Sequence, residues 1–270
     1  LIAQEIRATS LEPAAGSVHA VLLGVAQDGG VPHAGCDCAH CTAAIADPRQ
    51  RQSATCLGVV GGGSGWLIDA TPDLPAQWAM LRSRGAETLA GVAVTHLHMG
   101  HYVGLVHLGR EAAAMSELPV FAHPESIAAL RASQPWQALE RDGFVAFRPI
   151  DRSIELLPGV CRLEAHTVPH RGDAGPTLAF VVAGSQRRLL YCPDVDDWRL
   201  DDRPGDGCLR DWLTALDVDV ALLDGTFYAR GDLPRPDVPH PPMLDTVMEL
   251  AGSANTATYS PHGPRVVLVH

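Results

Sequence analysis

Three histidines fall within six residues, His96-Leu97-His98-Met99-Gly100-His101, directly after an apolar run that reads as a strand. On an extended segment, residues two apart point to the same side, so His96 and His98 can reach one ion. Gly100 permits a tight turn that swings His101 back toward them. Neutral imidazole is a common zinc ligand, and a catalytic zinc site takes about three protein ligands with one position open. A second cluster, Cys36-Asp37-Cys38-Ala39-His40-Cys41, packs three thiols too closely for relaxed disulfides among themselves. Thiolates two and three apart on a loop suit a tetrahedral structural zinc with one ligand still to be found. Inert or oxidised thiols are the alternative.

Composition narrows the chemistry further. The 270 residues carry twenty basic side chains, all of them arginine, against thirty-one acidic ones, for a formal charge of −11. Without lysine there is no Schiff-base or pyridoxal-phosphate anchor and no Walker A lysine for a nucleotide phosphate. The acidic balance repels phosphates and argues against a nucleic-acid partner. No apolar run approaches the roughly 20 residues that a membrane span requires. Seven cysteines, three of them crowded together, do not make a disulfide framework. The chain opens at Leu1 rather than Met and stops on a strand, so both ends are open to extension.

These clusters need elements to position them. Apolar runs predict strands at 18–24, 55–60, 65–69, 89–95, 119–122, 161–168, 178–182, 188–192, 218–224 and 265–270. Helical spacing fits 75–84, 103–115, 124–132, 209–216 and 241–251. The glycine run 61–65 reads as a hairpin tip, not a phosphate cradle, since no helix start follows it. The longest irregular stretch is 26–52, with 228–242 next, and such lengths point to function or a metal staple. Strands, then interleaved helices, then more strands predict one α/β domain over 1–270, a two-sheet sandwich with helices outside and a Cys-rich loop at about 26–52.

The segment from Thr95 to His101 resembles the His-x-His-x-Asp-His signature of the metallo-β-lactamase fold, a four-layer αββα sandwich of metal-dependent hydrolases. The resemblance extends from Leu22 to His270. Leu23-Gly24-Val25-Ala26-Gln27-Asp28-Gly29-Gly30, the cysteine cluster, Leu67-Ile68-Asp69-Ala70-Thr71-Pro72-Asp73, Val168-Pro169-His170-Arg171, Tyr191-Cys192-Pro193-Asp194 and Leu223-Asp224-Gly225-Thr226-Phe227 are similar to the branch containing pyrroloquinoline-quinone biosynthesis protein B. A cousin branch, the cyclic phosphodiesterase of phosphonate degradation, shares the cysteine cluster.

The resemblance implies a ligand set. His96, His98 and His170 would hold a first metal, Asp194 would bridge to a second, and His101 and His270 would complete that second site. Asp194 has a competing role as a cap for a helix over 195–198. Asp69 and Asp73, near the strand ends where this fold keeps its active site, and Asp224 after its own strand, are candidates to hold ligand histidines in place. One departure stands out: the family's aspartate falls at Gly100. The second site is therefore expected to be weak or empty, and the first to hold zinc, with iron or manganese as other options. Asp73 and Asp28 are open to take the missing carboxylate's place. At the cysteine cluster, His240 is the best internal candidate for the fourth ligand, with His33 and His40 behind it. His19, His107, His123, His166 and His262 lack ligand spacing and read as structural.

Three functions remain. A hydrolase would use metal-bound water on an ester, lactone, amide or phosphodiester, with Asp194 and His101 as catalytic groups. The named branch implies instead an iron- and oxygen-using step in quinone-cofactor biosynthesis. A metal-binding scaffold with lost activity is the third. The expected partner is a small-molecule substrate; a homodimer is left open.

Overall fold

Strand formation follows the β-branched and aliphatic runs, and each strand found lies on an apolar stretch. In the computed structural model, residues 17–171, 174–199, 208–232, 239–251 and 263–270 are described. In chain order the elements of the first half are β1 (His19–Gly24), α1 (Ala39–Ala46), β2 (Cys56–Gly61), β3 (Ser64–Ile68), α2 (Leu74–Ser83), β4 (Thr88–Ala93), α3 (Met99–Tyr102), β5 (Leu118–Ala122), α4 (Pro124–Ala132), α5 (Trp136–Arg141) and β6 (Val145–Pro149). The second half holds β7 (Ser153–Leu157), β8 (Cys161–Val168), β9 (Thr177–Gly184), β10 (Arg188–Cys192), α6 (Leu209–Ala215), β11 (Val220–Asp224), α7 (Met243–Ala251) and β12 (Arg265–Val269).

The strands form two six-stranded sheets, ordered β1-β2-β3-β4-β5-β6 and β12-β11-β10-β9-β8-β7. Three buried clusters fill three interlayers. Leu57, Val59, Trp66 and Ile68 of the first sheet meet Leu163, Phe180, Val182, Tyr191 and Leu222 of the second. Behind the first sheet, Leu81, Leu105, Ile127, Leu130 and Trp136 pack helices and turns onto Val92, Val120 and Phe147. Behind the second, Trp198, Leu209, Trp212 and Leu213 cover Val181, Leu190 and Leu223. Helix, sheet, sheet, helix is the αββα sandwich. The expected hairpin is present: β2 and β3 pair antiparallel, and Gly62 and Gly63 supply the two positive φ values, 57° and 78°, of a two-residue turn.

Some expectations need correction. The helix expected over 103–115 is a short α3 starting at Met99, followed by a 3-10 turn at Val103–Leu108. Gly104 explains the break, because its amide donates to Ala70 O at 2.8 Å and a Cβ there would collide with the Thr71 carbonyl. The stretch expected to be irregular contains α1, whose N-cap is Cys38. β6, β7 and α5, each five or six residues long, went unread because runs that short carry little periodicity. Residues 195–199 form no helix, so the capping role weighed for Asp194 is set aside.

Candidate metal centre

The centre lies where the C-terminal ends of strands from both sheets meet. β4 delivers Thr95, His96 and His98; α3 delivers His101; Val168 ends β8 just before His170; β10 leads to Asp194, and β12 to His270. Nitrogens of His96, His98 and His170 lie within 4.8 Å of one another, as do ligand atoms of His96, His101 and Asp194.

Five imidazoles follow one rule: Nδ1 is held by an oxygen and Nε2 is left for the centre. Asp196 Oδ1 sits 2.7 Å from His170 Nδ1, and Asp224 Oδ2 sits 2.6 Å from His240 Nδ1. Asp69 Oδ2 takes His101 Nδ1 at 2.9 Å. Thr95 Oγ1 donates to Asp69 Oδ1 at 2.9 Å, leaving its oxygen to accept from His96 Nδ1 at 3.0 Å. Thr226 Oγ1 likewise donates to Asp224 Oδ1 at 2.7 Å and meets His270 Nδ1 at 2.8 Å. Because a carboxylate only accepts, this network puts a proton on each Nδ1 and turns each Nε2 inward. His98 differs, turning Nδ1 to within 3.3 Å of His170 Nε2.

The charges divide the centre in two. Burial pushes His96, His98 and His170 below the usual imidazole range, so they stand neutral at pH 7. Burial opposes charge at His101 and His270 too, but carboxylates outweigh it: Asp69 and Asp194 raise His101, and Asp194 and Asp28 raise His270. Burial would raise Asp194, yet His270 and His101 hold it well below the carboxylate range. Asp28 is depressed against its burial by His101 and His270, whose Nε2 atoms lie 3.2 and 3.4 Å from its Oδ1.

The donor set fits a metal on an independent ground. His96 Nε2, His101 Nε2 and Asp194 Oδ2 are buried with no hydrogen-bond partner, although the last two lie only 3.0 Å apart. Buried polar atoms are seldom left this way, and a cation among them would satisfy all three.

Asp69 and Asp224 hold ligand-type histidines, as the sequence suggests. Asp73 does not; its Oδ2 accepts from the Ala54 amide at 2.9 Å and braces the loop after β1. The role expected for His240 at the cysteine cluster is corrected as well. Its ring is fixed by Asp224 and shares the centre with His170 and Asp194, within 4.8 Å. The thiols of Cys36, Cys38 and Cys41 come together on their own, with the His33 amide donating to Cys41 Sγ at 3.3 Å. The expectation of a weak second site assumed that Gly100 leaves the centre one carboxylate short, and Asp28 brings one to that space, 3.2 Å from His101 Nε2. Of the histidines read as structural, His123 caps α4, and His262 lies outside the described residues. Asp196, Thr95, Thr226 and Tyr191 went unread; Asp194-Val195-Asp196 and Asp224-Gly225-Thr226 were the available signals.

Comparison with known proteins agrees with this architecture. The family described as Beta-lactamase superfamily domain matches residues 66–270. Coenzyme PQQ synthesis protein B of Rhodopseudomonas palustris (strain TIE-1) is 33% identical over 167 residues, 56% of this chain and 53% of that protein. The chain thus spans about half the length of that relative. The protein of the same name from Methylobacterium sp. (strain 4-46) is 29% identical over 251 residues, 82% of this chain and 77% of its own. Among solved structures, Zn(2+)-bound PqqB from Methylobacterium extorquens superposes with a TM-score of 0.71 at 21% identity, covering 94% of this chain and 89% of that one. A diphosphatase from the PhnP family superposes with a TM-score of 0.59 at 21% identity, over 87% and 82% of the two chains. Both share the fold.

Proposed function

Since the chain belongs to the β-lactamase superfamily, we propose that it is a metal-dependent hydrolase of a small-molecule ester, lactone, amide or phosphodiester. The observation that carries this reading is the convergence of His96, His98 and His170 nitrogens within 4.8 Å beside the buried Asp194 carboxylate. Three imidazoles with a carboxylate beside them suit zinc, with iron or manganese as other options. When bound, the ion supplies a Lewis acid that polarises the electrophilic oxygen and acidifies water.

The chain's own residues do the rest. Thr95 and Asp196 lock the rings of His96 and His170 so that the ligand atoms are preorganised. Asp194, buried between the two groups of imidazoles, orients the nucleophile by accepting a hydrogen bond from it. His101, aimed by Asp69, fixes Asp194 from the other side at 3.0 Å. His240, held through Nδ1 by Asp224, presents its other nitrogen beside His170 as a contact for substrate. Cys36, Cys38 and Cys41 would hold a separate structural zinc, with His33 and His40 the nearby candidates for a fourth ligand.

The relatives' name supports a second reading, a step in quinone-cofactor biosynthesis, for which iron at the same histidines and oxygen would be the chemistry. A scaffold with lost activity has less support now that Asp28 stands beside Gly100. Elemental analysis of protein purified without added metal, followed by anaerobic assay on ester, lactone, amide and phosphodiester panels, separates the three. Zinc with anaerobic turnover that disappears in His98→Ala is the expected result. Iron with oxygen-dependent turnover would move the assignment to the second reading, and a metal-loaded protein inert on every panel would leave the scaffold.

A further inference from the structure

We propose that Asp28, on the loop after β1, is a ligand of a second metal ion beside the His96–His98–His170 site, and that residue 100 is glycine to make room for it. The inference rests on the reading of the histidine cluster as a metal centre. Its own ground is steric and geometric. A Cβ on Gly100 would collide with the Oδ1, Cγ and Cβ atoms of Asp28, so one side chain, not two, fits that space. Asp28 fills it and lies 3.2 Å from His101 Nε2 and 3.4 Å from His270 Nε2 through Oδ1. Asp194 approaches the same two nitrogens, at 3.0 Å from His101 through Oδ2 and 3.4 Å from His270 through Oδ1.

Two imidazoles and two carboxylates thus converge from four separate segments of the chain. Neither imidazole has another nitrogen to offer, because both Nδ1 atoms are engaged by Asp69 and Thr226. A mixed nitrogen and oxygen set of four suits a tetrahedral zinc, or manganese or iron where more oxygen is added. The loop that carries Asp28 is anchored for the task. Gly30 N donates to Gln27 O at 2.8 Å, Val31 and Gln52 exchange backbone bonds, and Asp73 holds the Ala54 amide. The His270 amide donates to Val25 O at 3.2 Å, which docks the end of β12 onto the start of the same loop. The carboxylate has moved to a distant point of the chain without leaving its place in the centre.

The rival account is an ion-paired cluster in which Asp28 only neutralises His101 and His270. Zinc titration of the full chain against a competing chelator, with total zinc counted by elemental analysis, distinguishes them. Asp28→Ala and the isosteric Asp28→Asn should each lose one zinc equivalent relative to the parent, or weaken it by more than about 10-fold. The remaining equivalents should stay. Asp28→Gly combined with Gly100→Asp should recover the lost equivalent, since the swap removes the clashing Cβ and returns one carboxylate to the same space. If His98→Ala releases zinc while both Asp28 variants keep every equivalent at parent affinity, the inference fails and the hydrolase reading stands. If His98→Ala releases none, the metal reading itself falls, and this inference with it.

Discussion

Asp69 is fully buried and takes hydrogen bonds from the Thr95 amide at 2.8 Å, the Thr95 hydroxyl at 2.9 Å and the Tyr191 hydroxyl at 3.2 Å, besides holding His101. An asparagine of the same shape would turn an amide N–H toward His101 Nδ1 and favour the tautomer with its proton on Nε2. Asp69→Asn should therefore weaken the ion at His101 by about 10–100-fold while His96, His98 and His170 keep theirs. Zinc titration checks this; parent affinity throughout would mean that Asp69 serves packing alone. The same residue marks what the sequence can and cannot disclose. His96, His98 and His101 are legible because their spacing lies within one short segment. Asp69 is legible only as a candidate support near a strand end; which ring it holds is not, because His101 finds it 32 positions away and Tyr191 from 122 positions away. Chain pattern carries no record of such pairs. Asp28 was legible only as one of two options; choosing it over Asp73 required seeing which carboxylate the Gly100 backbone admits.

At the scale of elements, Glu164 on β8 bridges strands. Arg188 of β10 donates to its Oε2 at 2.8 Å, and Arg162 of β8 donates to its Oε1 at 2.7 Å. Arg188, helped by Arg162 and opposed by burial, holds the Glu164 carboxyl below its ordinary value of 4.5. A depressed carboxyl lends stability that is full above 4.5 and is lost as pH falls through its folded-state value. Glu164→Gln should thus lower stability at pH 7 by about 1 kcal/mol, a modest figure because these pairs are partly solvated. The gap between parent and variant should narrow progressively as pH falls below 4.5 in denaturant melts. A gap that persists there would point to packing. α1 supplies the second element-scale test. Cys38 caps it, accepting from the Cys41 amide at 3.5 Å, and that N–H also draws the Cys38 thiol below its usual range. Cys38→Ser should cost one zinc equivalent and lower Tm, by about 2–4 °C for each kcal/mol lost at this chain length. The histidine ions should be retained, and if activity alone fell the cluster would be functional instead. Strands such as β8 and β10 were read to the residue because their runs are apolar and sharply bounded. α1 was not, since helix 39–46 is alanine-rich and short, with its start disguised as a thiol cluster.

Across the whole molecule, the first half of the chain builds one sheet and the second half builds the other. The histidine centre draws on both: His96, His98 and His101 come from the first, and His170, Asp194 and His270 from the second. An ion bound there spans the interlayer at its open end, beyond the packing of Phe180 and Tyr191. Chelator treatment should therefore lower Tm of the entire cooperative transition, not of one local segment, since an ion bound only by the folded state stabilises all of it. Calorimetry before and after metal removal reads this directly; an unchanged main transition would mean that the ion contributes nothing to the joining of the sheets. The topology carries one more consequence. Among the described residues, the passage from β6 to β7 at 150–152 is the one place where the chain goes from one sheet to the other. A break at that point would sever no sheet and would leave two pieces, each with half of the ligands. Such pieces, produced together, should reassemble as a split protein whose affinity rises with zinc, making the natural sandwich a metal-gated complementation pair.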